Sequence, residues 1–142
     1  NVNALSHVKL ARDLFKKKKL KKGASYVFTV SVGGVNAFQV GSAAYGMSKA
    51  AVNAFMKYCA VDFSTRQIRC NAVCPGMIHT PMTAPTGEFS LADYEVDIQK
   101  HYLLGRYGEP EEVARTIVFL LSDASSWVSG INLVIDGGYT IV

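Results

Sequence analysis

Residues 42–55 read SAAYGMSKAAVNAF, and this stretch decides the fold class. From about residue 43 to residue 64 the chain has no proline, and no glycine after Gly46, which predicts one long helix. Apolar residues recur along it at helical intervals, at Met47, Ala51, Ala54, Phe55, Tyr58 and Val61. Tyr45 and Lys49 lie one turn apart on this helix and therefore share a face. Such a pair is common on helix surfaces, so its meaning depends on the flanking segments.

The flanking segments predict three strands. They are YVFTVSV at 26–32, a run near 68–74 within QIRCNAVCPG, and INLVIDGG at 131–138, which ends in a glycine turn. Two further helices are predicted over 2–15 and 110–122, because apolar residues again recur at helical intervals. The apolar stripe of the first follows Leu5, Val8, Ala11 or Arg12, and Phe15, and that of the second follows Val113, Ile117, Leu120 and Leu121. Pro110 suits the first helical position of the second. Alternation of helices and strands predicts an α/β fold with a parallel sheet.

Composition favours one globular domain, since 49% of the 142 residues are hydrophobic and 18% are charged. The net charge is +4, but six of the fifteen basic residues lie in KKKKLKK at 16–22. Cations are favourable at the end of a helix, and no interleaved aromatic residues accompany the run, so no nucleic-acid partner is predicted. No apolar stretch is long enough to span a bilayer, and no membrane partner is predicted. A cytoplasmic location is the expectation.

The cysteines are Cys59, Cys70 and Cys74. Their odd number and spacing complete no zinc motif, so no metal site is predicted. Side chains four residues apart in a strand point to the same face, which places Cys70 and Cys74 together in the predicted core. We expect three reduced, mostly buried thiols.

The motifs around Tyr45 are specific when they are taken together. SAAYGMSKAAV is preceded by FTVSVGG and followed by RCNAVCPGMIHTPM, and the chain ends with GRYGEPEEVARTIVFLLSDASSWVSGINLVIDGG. This series resembles the short-chain dehydrogenase/reductase family, in which a serine precedes Tyr-x-x-x-Lys and a strand runs into Asn-x-x-x-Pro-Gly and a threonine. The matching residues are Ser31, Tyr45, Lys49, Asn71, Pro75, Gly76 and Thr80. The resemblance implies the C-terminal portion of a Rossmann-type doubly wound parallel sheet over residues 1–142.

The same resemblance implies an oxidoreductase that uses NAD or NADP to interconvert a carbonyl and a secondary alcohol. Tyr45 would be the general acid in reduction and the base in oxidation. Ser31 would hydrogen-bond the substrate oxygen, and Lys49 would stabilise the phenolate and hold the nicotinamide ribose. Asn3 would help to organise a water chain, since its spacing to the serine fits better than that of Asn1.

Residues after the second predicted strand complete the implied site. The family's loop at this position meets the nicotinamide and phosphates, which assigns cofactor contacts to Pro75, Gly76, Ile78 and Thr80, beside those of Tyr45 and Lys49. His79 is a variable position in such loops and is left out of the site. The stretch 77–108, rich in Thr, Pro, Gly and aromatics, is predicted to be irregular and to carry a substrate lid. Met82, Phe89, Tyr94 and Tyr102 are lid candidates, and packing on the body of the protein is the alternative for each.

The spacing from Ser31 to Tyr45 is one residue longer than is usual in the family. Without a gap, Val32 would occupy the serine position and the hydroxyl would be lost. Ser31 is preferred, because SVGGVNAF resembles the family's pattern after the serine and the spacing from Asn3 agrees. The extra residue would then lie in the loop around Gln39.

The family's glycine-rich turn, which would bind the pyrophosphate, is not found in these 142 residues. We therefore expect the N-terminal strands to be missing and one sheet edge to be uncovered, which would make the isolated chain unstable or dependent on a partner. The resemblance implies a homodimer or homotetramer built through the long helix. The rival hypothesis is a noncatalytic fragment that serves as an assembly or regulatory subunit. The sequence leaves open the substrate, the direction of reaction and the choice between NAD and NADP.

Overall fold

The computed structural model describes residues 2–83, 95, 96, 98 and 100–142. In these residues the chain forms α1 (Leu5–Lys16), β1 (Ser25–Thr29), α2 (Ala43–Asp62), β2 (Arg69–Pro75), α3 (Pro110–Leu121) and β3 (Asn132–Ile135). Single 3₁₀ turns follow α2, α3 and β3, at Ser64–Arg66, Asp123–Ser125 and Tyr139–Ile141. The predicted alternation of helices and strands is confirmed, and each helix starts and ends within three residues of its predicted bounds.

The three strands form one parallel sheet in the order β1, β2, β3. Phe28 pairs with Ala72 on one side of β2, and Leu133 pairs with Val73 on the other. The ladder continues past Thr29, because the amides of Val30 and Val32 donate to the carbonyls of Val73 and Pro75 at 2.9 and 3.1 Å. In the described part of the chain, no strand covers the outer edge of β1. The instability expected from an open edge stays a prediction.

The central strand β2 lies in the core of the molecule. Five consecutive residues, Cys70 to Cys74, are fully buried, as expected for a parallel strand that is covered on both faces. Asn71 is the polar member of this run, and its amide is satisfied on both sides. Its Nδ2 donates to the carbonyl of Val128 at 2.8 Å, and its Oδ1 accepts from the amide of Ile131 at 3.2 Å. Asn71 therefore ties β2 to the segment that leads into β3.

The three cysteines are free and buried, as predicted. Burial raises the pKa of the Cys59 thiol to about 11 and that of Cys70 to about 12. Burial also raises the pKa of Cys74, against smaller opposing effects of a hydrogen bond from the Ser31 backbone and of the Lys49 charge. The described residues hold no cluster of His, Cys, Asp and Glu that could bind a metal ion.

The apolar positions that predicted α2 do not mark its buried face. Val52, Met56 and Cys59 face the sheet, whereas Met47, Tyr58 and Val61 are exposed. The reason is that α2 is apolar nearly all round, so apolar spacing fits more than one face. Contact with the sheet selects one of them and leaves an outward apolar stripe, formed by Met47, Ala51, Ala54, Tyr58 and Val61.

The predicted face of α1 is correct only toward its end. Ala11 is fully buried, and the Phe15 ring stacks on Phe63 with 4.3 Å between centroids. Leu5 and Val8, which were also predicted to face the core, are exposed. The helix ends at Lys16, in the lysine run, so the run begins at the helix C-terminus as expected.

The prediction that all of 77–108 is irregular is also wrong. Residues 95, 96, 98, 100 and 101 are α-helical, a turn that the Thr, Pro and Gly upstream of it obscured in the sequence. Tyr102 is buried and packs against Tyr107 and Tyr139, at 4.9 and 5.1 Å between ring centroids. Tyr102 therefore packs on the body of the protein and does not form part of a lid. Met82 is exposed, and the lid candidates Phe89 and Tyr94 lie outside the described residues.

Helix α3 begins as its sequence predicted, with Pro110 in the first turn. Glu109 and Glu112 form a capping box, in which each side chain accepts from the other residue's backbone amide. The Val113, Ile117 and Leu120 side chains lie inward, and Leu121 is exposed. None of the described helices is long and apolar enough to cross a membrane.

Candidate active site

The side chains of Ser31 and Tyr45 both lie close to Gly33, beyond the carboxyl end of β1. A methyl group built on Gly33 would lie 3.3 Å from Cε1 of Tyr45 and 3.5 Å from Oγ of Ser31. The Gly33 amide donates to Ser31 Oγ at 3.1 Å, which fixes the position of the hydroxyl oxygen and leaves its proton available. Two hydroxyl-bearing side chains are therefore held beside one small open space.

A close backbone contact brings the start of α2 to this position. Gly34 has a φ of +82°, and a methyl group on it would overlap the carbonyl of Gly46. A methyl group on Gly46 would in turn lie 3.4 Å from the α-carbon of Gly34. Only glycine at position 34 allows both the left-handed conformation and this approach. Because Tyr45 precedes Gly46 in the chain, the contact between Gly34 and Gly46 places the Tyr45 ring next to Gly33.

Ser31 and Val32 have different environments. Val32 is 7% exposed and belongs to the hydrophobic core. Ser31 is half-buried and lies on the side of Tyr45. The residue that presents a hydroxyl to Tyr45 is therefore Ser31.

Lys49 lies behind Tyr45, on the same face of α2. Its Nζ donates to the carbonyl of Thr29 at 3.2 Å and is 5.8 Å from the centroid of the Tyr45 ring. Lys49 is half-buried, and Tyr45 is 45% exposed. The ammonium is thus fixed at the carboxyl end of β1 and keeps further donors for other acceptors.

Asn3 reaches α2 by a different route. Its Nδ2 donates to Oγ of Ser48 at 3.4 Å, and that hydroxyl donates to the carbonyl of Tyr45 at 2.7 Å. Asn3 is exposed and precedes α1. The structure therefore connects Asn3 to the turn of α2 that carries Tyr45, through Ser48 and not through a direct contact with Ser31 or Tyr45.

His7 is a residue near this site that sequence reasoning missed. Its ring is half-buried and stacks on Phe28, with 6.2 Å between centroids. Burial lowers the pKa of His7, and the nearby charge of Lys49 lowers it further. Its spacing of four residues from Ala11, the buried residue of α1, was the available signal.

The loop after β2 forms the opposite wall. The Gly76 amide donates to the carbonyl of Ile135 at 2.9 Å, and its α-carbon packs so closely on Asp136 that a methyl group would lie 3.0 Å from Cβ of Asp136. Ile78 pairs with Gly108 in a parallel bridge. The Thr80 amide donates to Oγ1 of Thr83 at 3.0 Å. The loop is therefore held at both ends by contacts with the rest of the chain.

His79 points into a separate contact. Its Nδ1 lies 2.8 Å from Oε1 of Glu109, and its ring meets that of Tyr107 edge-on. The Met77 and Gly108 backbones are joined by a 3.0 Å hydrogen bond, and those of His79 and Gly108 by a 2.8 Å one. His79 thus fastens the loop to the start of α3, in keeping with its being left out of the predicted site.

One cavity of about 650 Å³ joins these elements. Of the predicted site residues it is lined by Ser31, Tyr45, Gly76, Ile78 and Thr80. Lys49, Asn3 and Pro75 are not in its lining. Lys49 donates to the Thr29 carbonyl at the end of β1, Asn3 donates to Ser48 on α2, and the Pro75 carbonyl accepts a hydrogen bond from the Val32 amide. The arrangement can polarise an oxygen between Ser31 and Tyr45 and pass a proton to or from it.

Comparison with known proteins identifies the family of this fold and site. The family model described as "Enoyl-(Acyl carrier protein) reductase" matches residues 1–140. Cyclopentanol dehydrogenase of Comamonas is 47% identical over 105 residues, which are 70% of this chain and 39% of that protein. A tropinone reductase homolog of Arabidopsis thaliana is 38% identical over 123 residues, 87% of this chain and 46% of that protein. The chain thus spans less than half the length of these curated relatives.

Solved structures agree with the sequence relatives. A short chain dehydrogenase family protein of Francisella tularensis superimposes with a TM-score of 0.87 at 35% identity, over 99% of this chain and 60% of that one. A 4-hydroxyisoleucine dehydrogenase mutant complexed with NADH and succinate gives a TM-score of 0.87 at 32% identity, over 99% of this chain and 57% of that one. The chain belongs to the short-chain dehydrogenase/reductase family, as its motifs indicated, and its sheet is part of that family's Rossmann-type fold.

Proposed function

We propose that the protein containing this chain is an NAD(P)-dependent oxidoreductase that interconverts a carbonyl and a secondary alcohol. The observation that carries this proposal is that Ser31 and Tyr45 both approach Gly33 and line one cavity at the carboxyl ends of parallel strands. Open α/β sheets bind their ligands at that edge. The relatives named cyclopentanol dehydrogenase and cyclohexanol dehydrogenase support the same class of reaction.

Tyr45 is the general acid when a carbonyl is reduced and the base when an alcohol is oxidised. Ser31 donates a hydrogen bond to the substrate oxygen, since the Gly33 amide already occupies one of its acceptor positions. That bond strengthens as negative charge develops on the oxygen. The oxygen therefore lies between two hydroxyl groups, one of which gives up its proton.

Lys49 stabilises the phenolate form of Tyr45 through its positive charge, from a position 5.8 Å from the ring centroid. Asn3 supports this turn of α2 through Ser48, and from there it helps to order water that exchanges protons with bulk solvent. Ser31 and Tyr45 contact the substrate, Lys49 supports Tyr45 from one turn further along the same face of α2, and Asn3 supports it through Ser48.

The cavity fits the nicotinamide end of NAD or NADP. It extends from Ser31 and Tyr45 to Gly76, Ile78 and Thr80. Gly76, Ile78 and Thr80 would hold the nicotinamide, Pro75 would shape the loop, and Lys49 would hold the ribose. When bound, the nicotinamide supplies or accepts the hydride. The 4-hydroxyisoleucine dehydrogenase neighbours, whose structures contain NADH, support this choice of cofactor.

The pyrophosphate site is proposed to come from chain outside these 142 residues, which contain no glycine-rich dinucleotide turn. We further propose one partial Rossmann-type domain over 1–142 and a homodimer or homotetramer built through α2. The part of the exposed apolar stripe that lies away from the cavity, at Tyr58 and Val61, favours association. A cytoplasmic location is proposed as well, which the three unpaired thiols favour.

Isotope transfer tests the proposed reaction. The protein containing this chain is incubated with a ketone and with NADH or NADPH deuterated at C4 of the nicotinamide, and the alcohol is analysed by mass spectrometry. We expect deuterium on the carbinol carbon and a loss of at least about 100-fold in kcat for Ser31→Ala. Ser64→Ala, which alters a hydroxyl at the far end of α2, is the matched control and should keep wild-type kcat. Absence of deuterium from the alcohol would refute hydride transfer.

The exposed stripe of α2 also favours the second candidate function, a noncatalytic assembly or regulatory subunit. Nicotinamide fluorescence separates the two candidates. The 142-residue chain alone should not change the fluorescence of NADH or NADPH, whereas the protein with its complete nucleotide site should. If the latter also fails to bind either nucleotide, the noncatalytic function is favoured.

A further inference from the structure

The cavity beside Ser31 and Tyr45 has a wall free of charge. Among the described residues that line it, none has an ionisable acidic, basic or imidazole side chain. Its apolar lining is formed by Val32, Ala37, Phe38, Met47, Met77 and Ile78. Two of these, Phe38 and Met47, are 84% and 72% exposed, so their large apolar surfaces remain available to a ligand. A mostly apolar cleft of this volume is typical of small-molecule sites.

Several polar groups in the lining are already bound to the protein. Gln39 Nε2 donates to the Tyr139 hydroxyl at 3.0 Å. The Thr80 and Thr83 hydroxyls lie 3.1 Å apart, and Thr83 also bonds to the carbonyl of Ile78. The hydroxyls that remain belong to Ser31, Ser42 and Tyr45, at the end of β1 and the first turn of α2. The polar capacity of the cavity is therefore concentrated where the proposed reaction takes place.

We infer that the substrate is a small ketone or secondary alcohol with one oxygen function and an otherwise uncharged, apolar body. This inference rests on the proposed function, which gives the reacting carbonyl or alcohol group. The uncharged side chains of the cavity wall give the preference for an uncharged body. A carboxylate or phosphate on the body would lie against Phe38 or Met47 without a counter-charge. Leaving such an ion unpaired in an apolar site costs on the order of 100-fold or more in affinity.

The reaction balances with these groups. In reduction, a bound reduced nicotinamide would supply the hydride for the new C–H bond at the carbonyl carbon and would leave oxidised. The carbonyl π electrons move to the oxygen, which takes the Tyr45 proton. The Tyr45 phenolate that results is reprotonated from solvent. No acidic or basic side chain in the wall is needed for recognition.

Two ring ketones of matched shape test the inference. Cyclohexanone and 4-oxocyclohexanecarboxylate share the reactive ring and differ in the carboxylate. Binding to the protein is measured by saturation-transfer NMR without cofactor, and kcat/KM is measured separately with reduced cofactor. We expect binding of the neutral ketone and a kcat/KM at least about 100-fold higher than that of the carboxylate.

The variant Met47→Lys places a cation on the wall and should narrow or reverse this preference by improving the carboxylate alone. Val118→Lys, at an exposed position on α3, adds the same charge elsewhere and should leave the ratio unchanged. Equal or tighter binding of the carboxylate by the wild-type protein would overturn the substrate class even if both ketones are reduced. Selective binding of the neutral ketone without any hydride transfer would uphold the ligand class and overturn the proposed reaction.

Discussion

The α-carbon of Gly34 packs directly against the backbone of Gly46, so that a methyl group on Gly46 would be 3.4 Å from it. This contact joins the loop after β1 to the first turn of α2. Ser31 lies on one side of the contact and Tyr45 on the other. Gly34 and Gly46 therefore position the residues of the site, although neither has a side chain that could take part in chemistry.

Replacing Gly34 by alanine should destabilise the protein strongly. The methyl group would overlap the Gly46 carbonyl and would also force alanine to a φ of +82°. Gly41→Ala is the matched control, because Gly41 has a φ of +79° and open space around it. We expect a loss of about 1–2 kcal/mol in the free energy of unfolding for Gly41→Ala and at least about twice that for Gly34→Ala, measured by urea denaturation. Equal losses would show that the Gly34–Gly46 contact contributes nothing.

Gly33→Ala should impair catalysis more than stability. Gly33 does not have a positive φ, and the added methyl group would lie 3.3 Å from the Tyr45 ring and 3.5 Å from Ser31 Oγ. A shift of a few tenths of an ångström between the two reacting groups should lower kcat about 10- to 100-fold. Steady-state kinetics and thermal melting of the same preparation separate the two effects. An unchanged kcat would place the reacting groups elsewhere.

The native thiols should react very slowly with a disulfide reagent such as dithionitrobenzoate at pH 8. Burial raises the pKa of Cys59 to about 11 and that of Cys70 to about 12, and it raises that of Cys74, so little thiolate is present. Three thiols should react once the protein is unfolded in guanidinium. Ser126→Cys adds an exposed thiol and should react at once, as a positive control. Rapid reaction of a native cysteine would contradict the burial described above.

The start of α3 should be sensitive to acid. Glu112 accepts two hydrogen bonds from Arg106 and one from the Glu109 amide, each at 2.8 Å, and these lower its pKa from 4.5 to about 2. Because the native pKa is the lower one, the stabilising contribution is complete above about pH 4.5. It is lost as the pH falls from there toward 2.

Urea denaturation at pH 7 and at pH 3 checks the direction of this pH dependence. The difference in unfolding free energy between wild type and Glu112→Gln should be larger at pH 7 than at pH 3. Glu111→Gln, on the same turn of α3, should follow the wild-type pH dependence. A difference for Glu112→Gln that grows as the pH falls would contradict the proposed linkage.

Much of the fold was predictable because local signals agreed with tertiary structure. The strand around Asn71 is a mostly apolar run that ends at Pro75, and α3 carries Pro110 in its first turn. The inward face of α2 was not predictable, because Met47 and Val52 are equally apolar and only contact with the sheet distinguishes them. Helix periodicity indicates a helix more reliably than it indicates which side of an apolar helix is buried.

The candidate site shows the same division. Tyr45 and Lys49 share a helix face by spacing alone, and Ser31 joins them because Gly33 and Gly34 bring the loop onto α2. Contacts between residues far apart in the sequence were not predicted. The stacking of His7 on Phe28 and the hydrogen bond from Gln39 to Tyr139 depend on how separate elements pack. Sequence spacing carries no information about such distances.

The most direct test of the account is the single-turnover rate of hydride transfer in the variant Tyr45→Phe, which removes one oxygen atom and keeps the ring. The control is Tyr58→Phe, which makes the same change on the outward stripe of the same helix. We predict a rate about 10²–10⁴ times lower for Tyr45→Phe and a wild-type rate for Tyr58→Phe, with nucleotide binding retained in both. A wild-type rate for Tyr45→Phe would contradict the central claim that its hydroxyl is the acid and base of the reaction.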